Sequence, residues 1–104
     1  MMRIEVAKKF AEDVGRKFPE VSSVILYGSV ARGEDTEDSD IDLLVLTRKR
    51  AKIDRKLNDI VADYILETSE LPMPIVHTER DFNERESHFF TEIKKHGKKI
   101  YARD

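Results

Sequence analysis

Two short apolar runs constrain this chain more than anything else in it: VSSVILY at residues 21–27 and IDLLVL at 41–46. Both are bounded by turn-forming or charged residues and rich in the side chains that fill a pleated, buried surface, so they read as strands. The far half of the second is apolar on both faces and therefore asks for cover above and below. Between the runs lie Gly28-Ser29, Gly33 and an acidic loop, and Asp40 and Asp42 flank Ile41 at the second run's start. Acids are disfavoured in strands, and two on one face repel each other. Something must offset that repulsion, and a divalent cation is the first candidate.

The flanking segments supply the cover. Ile4, Ala7, Phe10, Ala11, Val14 and Phe18 fall on one face of an amphipathic helix, with Lys8, Lys9, Glu12 and Asp13 on the other, and Pro19 stops it. Ile53, Leu57, Ile60, Val61, Tyr64 and Ile65 predict a second helix, broken by Glu70, Pro72 and Pro74. Met73–Val76 predicts a short third strand, at an edge because proline cannot donate to a ladder. Thr78 is placed as the N-cap of a last helix whose buried side is Phe82, Phe89, Phe90 and Ile93, ending near Gly97. Gly28 and Gly33 bracket a turn or short helix. The expected order is helix, strand, strand, helix, strand, helix. That is an α+β (α/β) fold, a small mixed sheet flanked by helices, in one compact domain over residues 1–104.

Charged residues make up 38% of the chain but balance to a formal net charge of -2, so no global field draws it to nucleic acid or membrane. The absence of cysteine excludes disulfides, thiolate metal sites and a Cys nucleophile. No apolar run approaches the roughly 20 residues needed to span a bilayer. Met1-Met2-Arg3 does not open a signal peptide, and the expected setting is the cytoplasm.

Side chains alternate along a strand, so Asp40 and Asp42 are expected on one face with β-carbons about 7 Å apart. Two-metal sites hold their cations about 3.5–4 Å apart, bridged by such carboxylates. Gly28 lets the backbone approach a phosphate closely, and Ser29 adds a hydroxyl and an N–H donor. Together these features describe a site for a metal-bound nucleoside triphosphate. An EF-hand reading fails: starting the loop at Asp38 puts Leu43 and Lys49 where Gly and Glu are required. A Walker A loop and a dinucleotide fingerprint are absent.

The run Gly28-Ser29, then Asp40-Ile41-Asp42, resembles the signature of the DNA polymerase β-like nucleotidyltransferases. More closely, GSVARG followed by SDIDLLV is similar to the minimal nucleotidyltransferase domains, often antitoxins whose partner is a helical HEPN-domain protein. The resemblance implies a polymerase β palm-like fold, with Asp40 and Asp42 as catalytic residues coordinating two Mg²⁺ ions. It also implies that Gly28, Ser29 and Arg32 hold the triphosphate of ATP or another nucleoside triphosphate. An acceptor hydroxyl on a protein partner would attack the α-phosphorus, AMP would be transferred and pyrophosphate would leave. A HEPN-type partner is the expected acceptor, in a hetero-oligomer; a homodimer and a nucleic-acid acceptor stay open, and a membrane is not expected. Active family members usually carry a third carboxylate on the strand beside Asp-x-Asp. Here LPMPIVHT has none, with Glu70 before it, His77 at its end and Glu79 after it. That gap supports a second reading: a catalytically weak or inactive nucleotide-binding module that neutralises a helical partner by contact. Transfer to a small molecule is a third reading, for which the chain is short.

Other features take ordinary readings. Asp35, Glu37 and Asp38 are expected to solvate a loop. Arg48, Lys49, Arg50, Lys52, Arg55 and Lys56 precede or open the second helix, where cations oppose the macrodipole; a solvated face competes there with a surface that meets an acidic partner or an RNA acceptor. Lys94, Lys95, Lys98 and Lys99 are placed in the last turns of the final helix, which favour cations. His88 and His96 are expected at the surface. Tyr64, Phe10, Phe82, Phe89 and Phe90 are expected in the core or a partner interface.

Overall fold

A computed structural model describes residues 2–103, leaving Met1 and Asp104 outside the described residues. The element order is α1 (Arg3–Lys17), β1 (Val21–Tyr27), α2 (Gly28–Arg32), β2 (Ile41–Thr47), α3 (Asp54–Thr68), β3 (Pro72–Thr78), α4 (Glu79–Glu84), α5 (His88–His96) and β4 (Lys98–Ala102). The sheet runs β3-β2-β1-β4. β1 pairs antiparallel with both β2 and β4, while β2 pairs parallel with β3, so the sheet is mixed as expected.

The two apolar runs are the central strands, which explains why both faces of each are hydrophobic. On one face Phe10, Val14, Leu57 and Tyr64 of α1 and α3 pack over Val24, Leu26, Leu43 and Val45. On the other, Phe82, Phe90 and Ile93 of α4 and α5 cover Ile25, Leu44 and Leu46. Leu43, Leu44 and Val45 are fully buried. Burying each such side chain stabilises the fold by about 1.5–3 kcal/mol.

β3 is an edge strand, and its prolines fit there for a definable reason. The Ile41 N–H donates to the Leu71 carbonyl at 3.0 Å, so odd-numbered residues of this strand direct their backbone groups toward β2. Pro72 and Pro74 then fall where an N–H would point outward. No ladder bond is lost, and the exposed edge loses two donors that could recruit another strand.

Two expectations are corrected. The final helix is two helices: Ser87 interrupts it, accepting a hydrogen bond from the Phe90 N–H at 3.0 Å as a new N-cap. Lys98 and Lys99 are not in a helix; they open β4, an unanticipated strand on the free edge of β1. The basic run precedes and opens α3 as expected: Arg48, Lys49, Arg50 and Lys52 lie ahead of it, and Arg55 and Lys56 follow Asp54, an acid in the favourable first turn. Arg103 follows β4 and donates to the carbonyls of Gly15 and Val21, binding the chain's end to the C-terminal turn of α1. No helix among the described residues is long and apolar enough to cross a membrane.

Candidate active site

The site is built where β1 ends against the start of β2. The antiparallel register pairs Tyr27 with Asp42, so Gly28 emerges beside the Asp42 side chain. Gly28 has φ +77°, a conformation that costs other residues steric strain, and it opens α2 directly. A β-carbon there would overlap Oδ2 of Asp42 and crowd its Cβ and Cγ. The glycine therefore has two separate reasons to be one: its backbone angle and the carboxylate against it. Gly33 closes α2 in the left-handed region at φ 70°, its N–H donating to the Ser29 and Val30 carbonyls.

Asp42 is half-buried in β2, whereas Asp40 is exposed one residue before the strand. Burial raises the Asp42 carboxyl above its ordinary pKa of 3.8, and the negative charge of Asp40 raises it further. The positive charge of Arg32 works against both. Asp42 is therefore the carboxylate directly against Gly28, with Asp40 and Arg32 near enough to bear on its charge. Arg32 is exposed at the end of α2, its Nε 3.1 Å from the Glu34 carboxylate. Ser29 is half-buried in the first turn of α2.

Tyr27 and α5 complete the surroundings, and neither was anticipated there. A cleft of about 150 Å³ is lined by Tyr27, Gly28, Arg32, Phe89, Glu92 and His96, among others. Phe89, 38% exposed, meets Tyr27 edge-to-face with ring centroids 5.4 Å apart. Burial, and then the charge of Asp42, push the Tyr27 phenol up to about 12. Glu92 and His96 approach to 3.6 Å along the same helix. Tyr27 was findable, because it immediately precedes Gly28. The α5 residues carry no local signal; only the packing of α5 against β1 brings them here.

The acids near the third strand are elsewhere. Glu70 is 2.6 Å from Arg3, which also pairs with Asp35 at 3.0 Å and donates to the Glu37 carbonyl at 2.8 Å. Asp35 is thus an anchor of the acidic loop rather than a loosely solvated charge. Glu79 begins α4, beyond the far end of β3. His77 pairs in register with Leu46 and packs edge-to-face on Phe90 at 4.9 Å, about 13 Å along the sheet from Asp42. The residue paired with Asp42 on β3 is Met73. No group of three or more His, Asp or Glu side chains that could hold a metal exists among the described residues. Two carboxylates can still hold Mg²⁺, which completes its shell with water and substrate phosphates. Burial and, second to it, the charge of Asp40 raise Asp42's pKa, and a divalent cation relieves the second of these, so the donor set fits that ion.

Comparison with known proteins gives the family and the fold. The family model described as a nucleotidyltransferase domain matches residues 7–102. A Methanocaldococcus jannaschii protein provisionally named a protein adenylyltransferase is 35% identical over 77 residues, covering 71% of this chain and 78% of that protein. A crystal structure from Sulfolobus solfataricus, provisionally described as a nucleotidyltransferase, superposes with TM-score 0.58 at 25% identity. The match covers 95% of this chain and 79% of that one. A chain in a complex of a tri-AMPylated Shewanella oneidensis HEPN toxin with an MNT antitoxin shares the fold, with TM-score 0.56 at 15% identity. There the match covers 99% and 74% of the two chains. With the Gly28–Asp42 junction at its centre and the family model spanning nearly all of its length, this chain belongs to the nucleotidyltransferase domain family.

Proposed function

We propose that this nucleotidyltransferase transfers AMP from ATP to a hydroxyl of a protein partner, a HEPN-type helical protein whose toxicity the modification suppresses. The observation that carries the reading is the junction of Gly28 and Asp42, where a backbone without a side chain and a half-buried carboxylate converge. Gly28 and Ser29 receive the triphosphate, and Arg32 adds a positive charge beside it. Asp40 and Asp42 would hold Mg²⁺. When bound, that ion lowers the acceptor hydroxyl's pKa and neutralises charge developing on pyrophosphate. The choice of AMP rests on the name of the M. jannaschii relative, and the choice of partner on the S. oneidensis complex, whose likeness by itself is one of fold.

Met73 opposite Asp42 favours the second reading, a nucleotide-binding module that neutralises its partner by contact, because the family's third acid is expected on this strand. Incubating the protein and a co-encoded helical partner with α-labelled ATP and Mg²⁺ separates the two. Label on the partner that Asp42→Asn abolishes supports the transferase. An unlabelled partner in a tight complex indifferent to that substitution supports the module.

A further inference from the structure

Independently of the nucleotide chemistry, we infer that the opposite end of the sheet holds a second anion site, suited to a phosphate monoester. β2 places Asp42 near its start and Thr47 at its end, roughly 16 Å apart along the strand. At the Thr47 end lies a separate cleft of about 300 Å³, lined by Thr47, Arg50, His77, Thr78, Asp81 and Arg85 among its residues. That volume is at the lower end of the range for small-molecule sites.

The polar groups there are unusually uncommitted. Thr47 is 1% exposed, and its Oγ1 is buried with no hydrogen-bond partner. A buried hydroxyl normally finds a partner, and one left without it carries a desolvation cost. Neither the Arg50 nor the Arg85 side chain has an ion pair or hydrogen bond among the described residues. Asp81 is the one carboxylate lining the cleft. It stands four residues from Arg85 yet makes no ion pair with it, and its N–H donates to the Thr78 Oγ1 at 3.0 Å. Thr78 therefore accepts one bond while its own O–H stays available to donate. His77, its ring perpendicular to that of Phe90, adds a third nitrogen-bearing side chain.

Two guanidinium groups, two hydroxyls and an imidazole present more donors than a carboxylate's two oxygens use. A terminal phosphate offers three acceptor oxygens and a charge near -2, matching both the donor number and the positive excess over Asp81. The enclosed hydroxyl and the modest volume favour a small phosphate monoester over an extended polyanion, which would track the exposed cations of residues 48–56 instead.

The test is a titration of the full ¹⁵N-labelled chain with inorganic phosphate at constant ionic strength, followed by amide shifts. The expected result is shifts at Thr47–Ala51 and Thr78–Arg85 at concentrations on the order of 10 mM or below. The Arg50→Gln/Arg85→Gln variant, altered only at exposed side chains, should bind about tenfold or more weakly. Asp42→Asn should bind as wild type does. Shifts confined to residues 28–32, no shifts at all, or binding undiminished in the double variant would each overturn the proposal. So would a short single-stranded RNA that binds this end while inorganic phosphate neither binds nor competes.

Discussion

Gly28→Ala tests the central junction, because the structure separates its cost into two parts that a double-mutant cycle can measure. The first is the backbone: φ +77° costs a residue with a β-carbon about 1–2 kcal/mol. The second is the overlap of the new methyl with Asp42 Oδ2 and its crowding of the Asp42 Cβ and Cγ. A side chain forced off its rotamer costs about 0.5–1.5 kcal/mol, so the total expected loss is roughly 2–3 kcal/mol. Removing the carboxylate should cancel only the second part. Urea unfolding of wild type, Gly28→Ala, Asp42→Ala and the double variant should therefore give a coupling energy of about 1 kcal/mol, with the backbone cost left in the double variant. Calorimetric titration with ATP and Mg²⁺ should show binding lost in both single variants and not regained in the double one. Strict additivity within about 0.5 kcal/mol would show that Gly28 and Asp42 do not touch, and the proposed site would lose its geometric basis.

Four further perturbations follow from named contacts. Asp42 has a raised pKa in the folded state, so its favourable contribution is fully present below about pH 4 and is lost as pH rises through the folded value. Asp42→Asn should accordingly raise the Tm of the metal-free protein near neutral pH, with the gain vanishing in acid; a gain that persists at about pH 3 would contradict this. Gly15→Ala would drive a methyl into the Tyr101 ring where α1 crosses β4, and chemical unfolding should register a loss of about 1–3 kcal/mol. Tyr64→Phe removes the phenol that donates to Asp13 while keeping the ring's edge-to-face contact with Phe10 at 5.2 Å; a loss of about 1 kcal/mol is expected by the same assay. Thr47→Val exchanges a partnerless buried hydroxyl for a methyl and should stabilise the free protein by about 1 kcal/mol, whereas a destabilised variant would reveal a bond that Oγ1 makes.

The parts of the fold that the sequence discloses are those in which local pattern and tertiary demand coincide. VSSVILY and IDLLVL are apolar on both faces because they are central strands under helices on each side, and their boundaries could be read almost to the residue. Thr78 caps α4 through the Asp81 N–H, as its spacing from that acid implied. β4 had no such agreement. KKIYA opens with two lysines and follows a helical pattern, and it becomes a strand because β1 would otherwise present an unpaired edge. The break at Ser87 was legible in principle, since serine is a preferred N-cap, but the phenylalanine spacing on either side suggested one continuous helix. At the site, Gly28, Asp40, Asp42 and Arg32 converge because one hairpin-like connection carries them all. Phe89, Glu92 and His96 share a cleft with Gly28 and Arg32 although their helix lies some sixty residues away, and no spacing rule encodes that approach.

The register of β3 gives the absent third acid a physical meaning. Parallel pairing puts Met73 beside Asp42 and Ile75 beside Leu44, and both β3 side chains are more than 40% exposed. An acid at 73 would add a third negative charge beside Asp42, whose pKa burial and then the charge of Asp40 already raise, with Arg32 as the nearby compensating charge. A methionine avoids that penalty and leaves an apolar margin on the strand beside the carboxylates. The free protein therefore carries less electrostatic strain than a three-acid site would, and the proton of an incoming hydroxyl has no carboxylate on β3 to receive it. If transfer occurs, the acceptor's proton must leave by solvent or by a group outside β3, and the partner that brings the hydroxyl meets an apolar edge rather than a charged one.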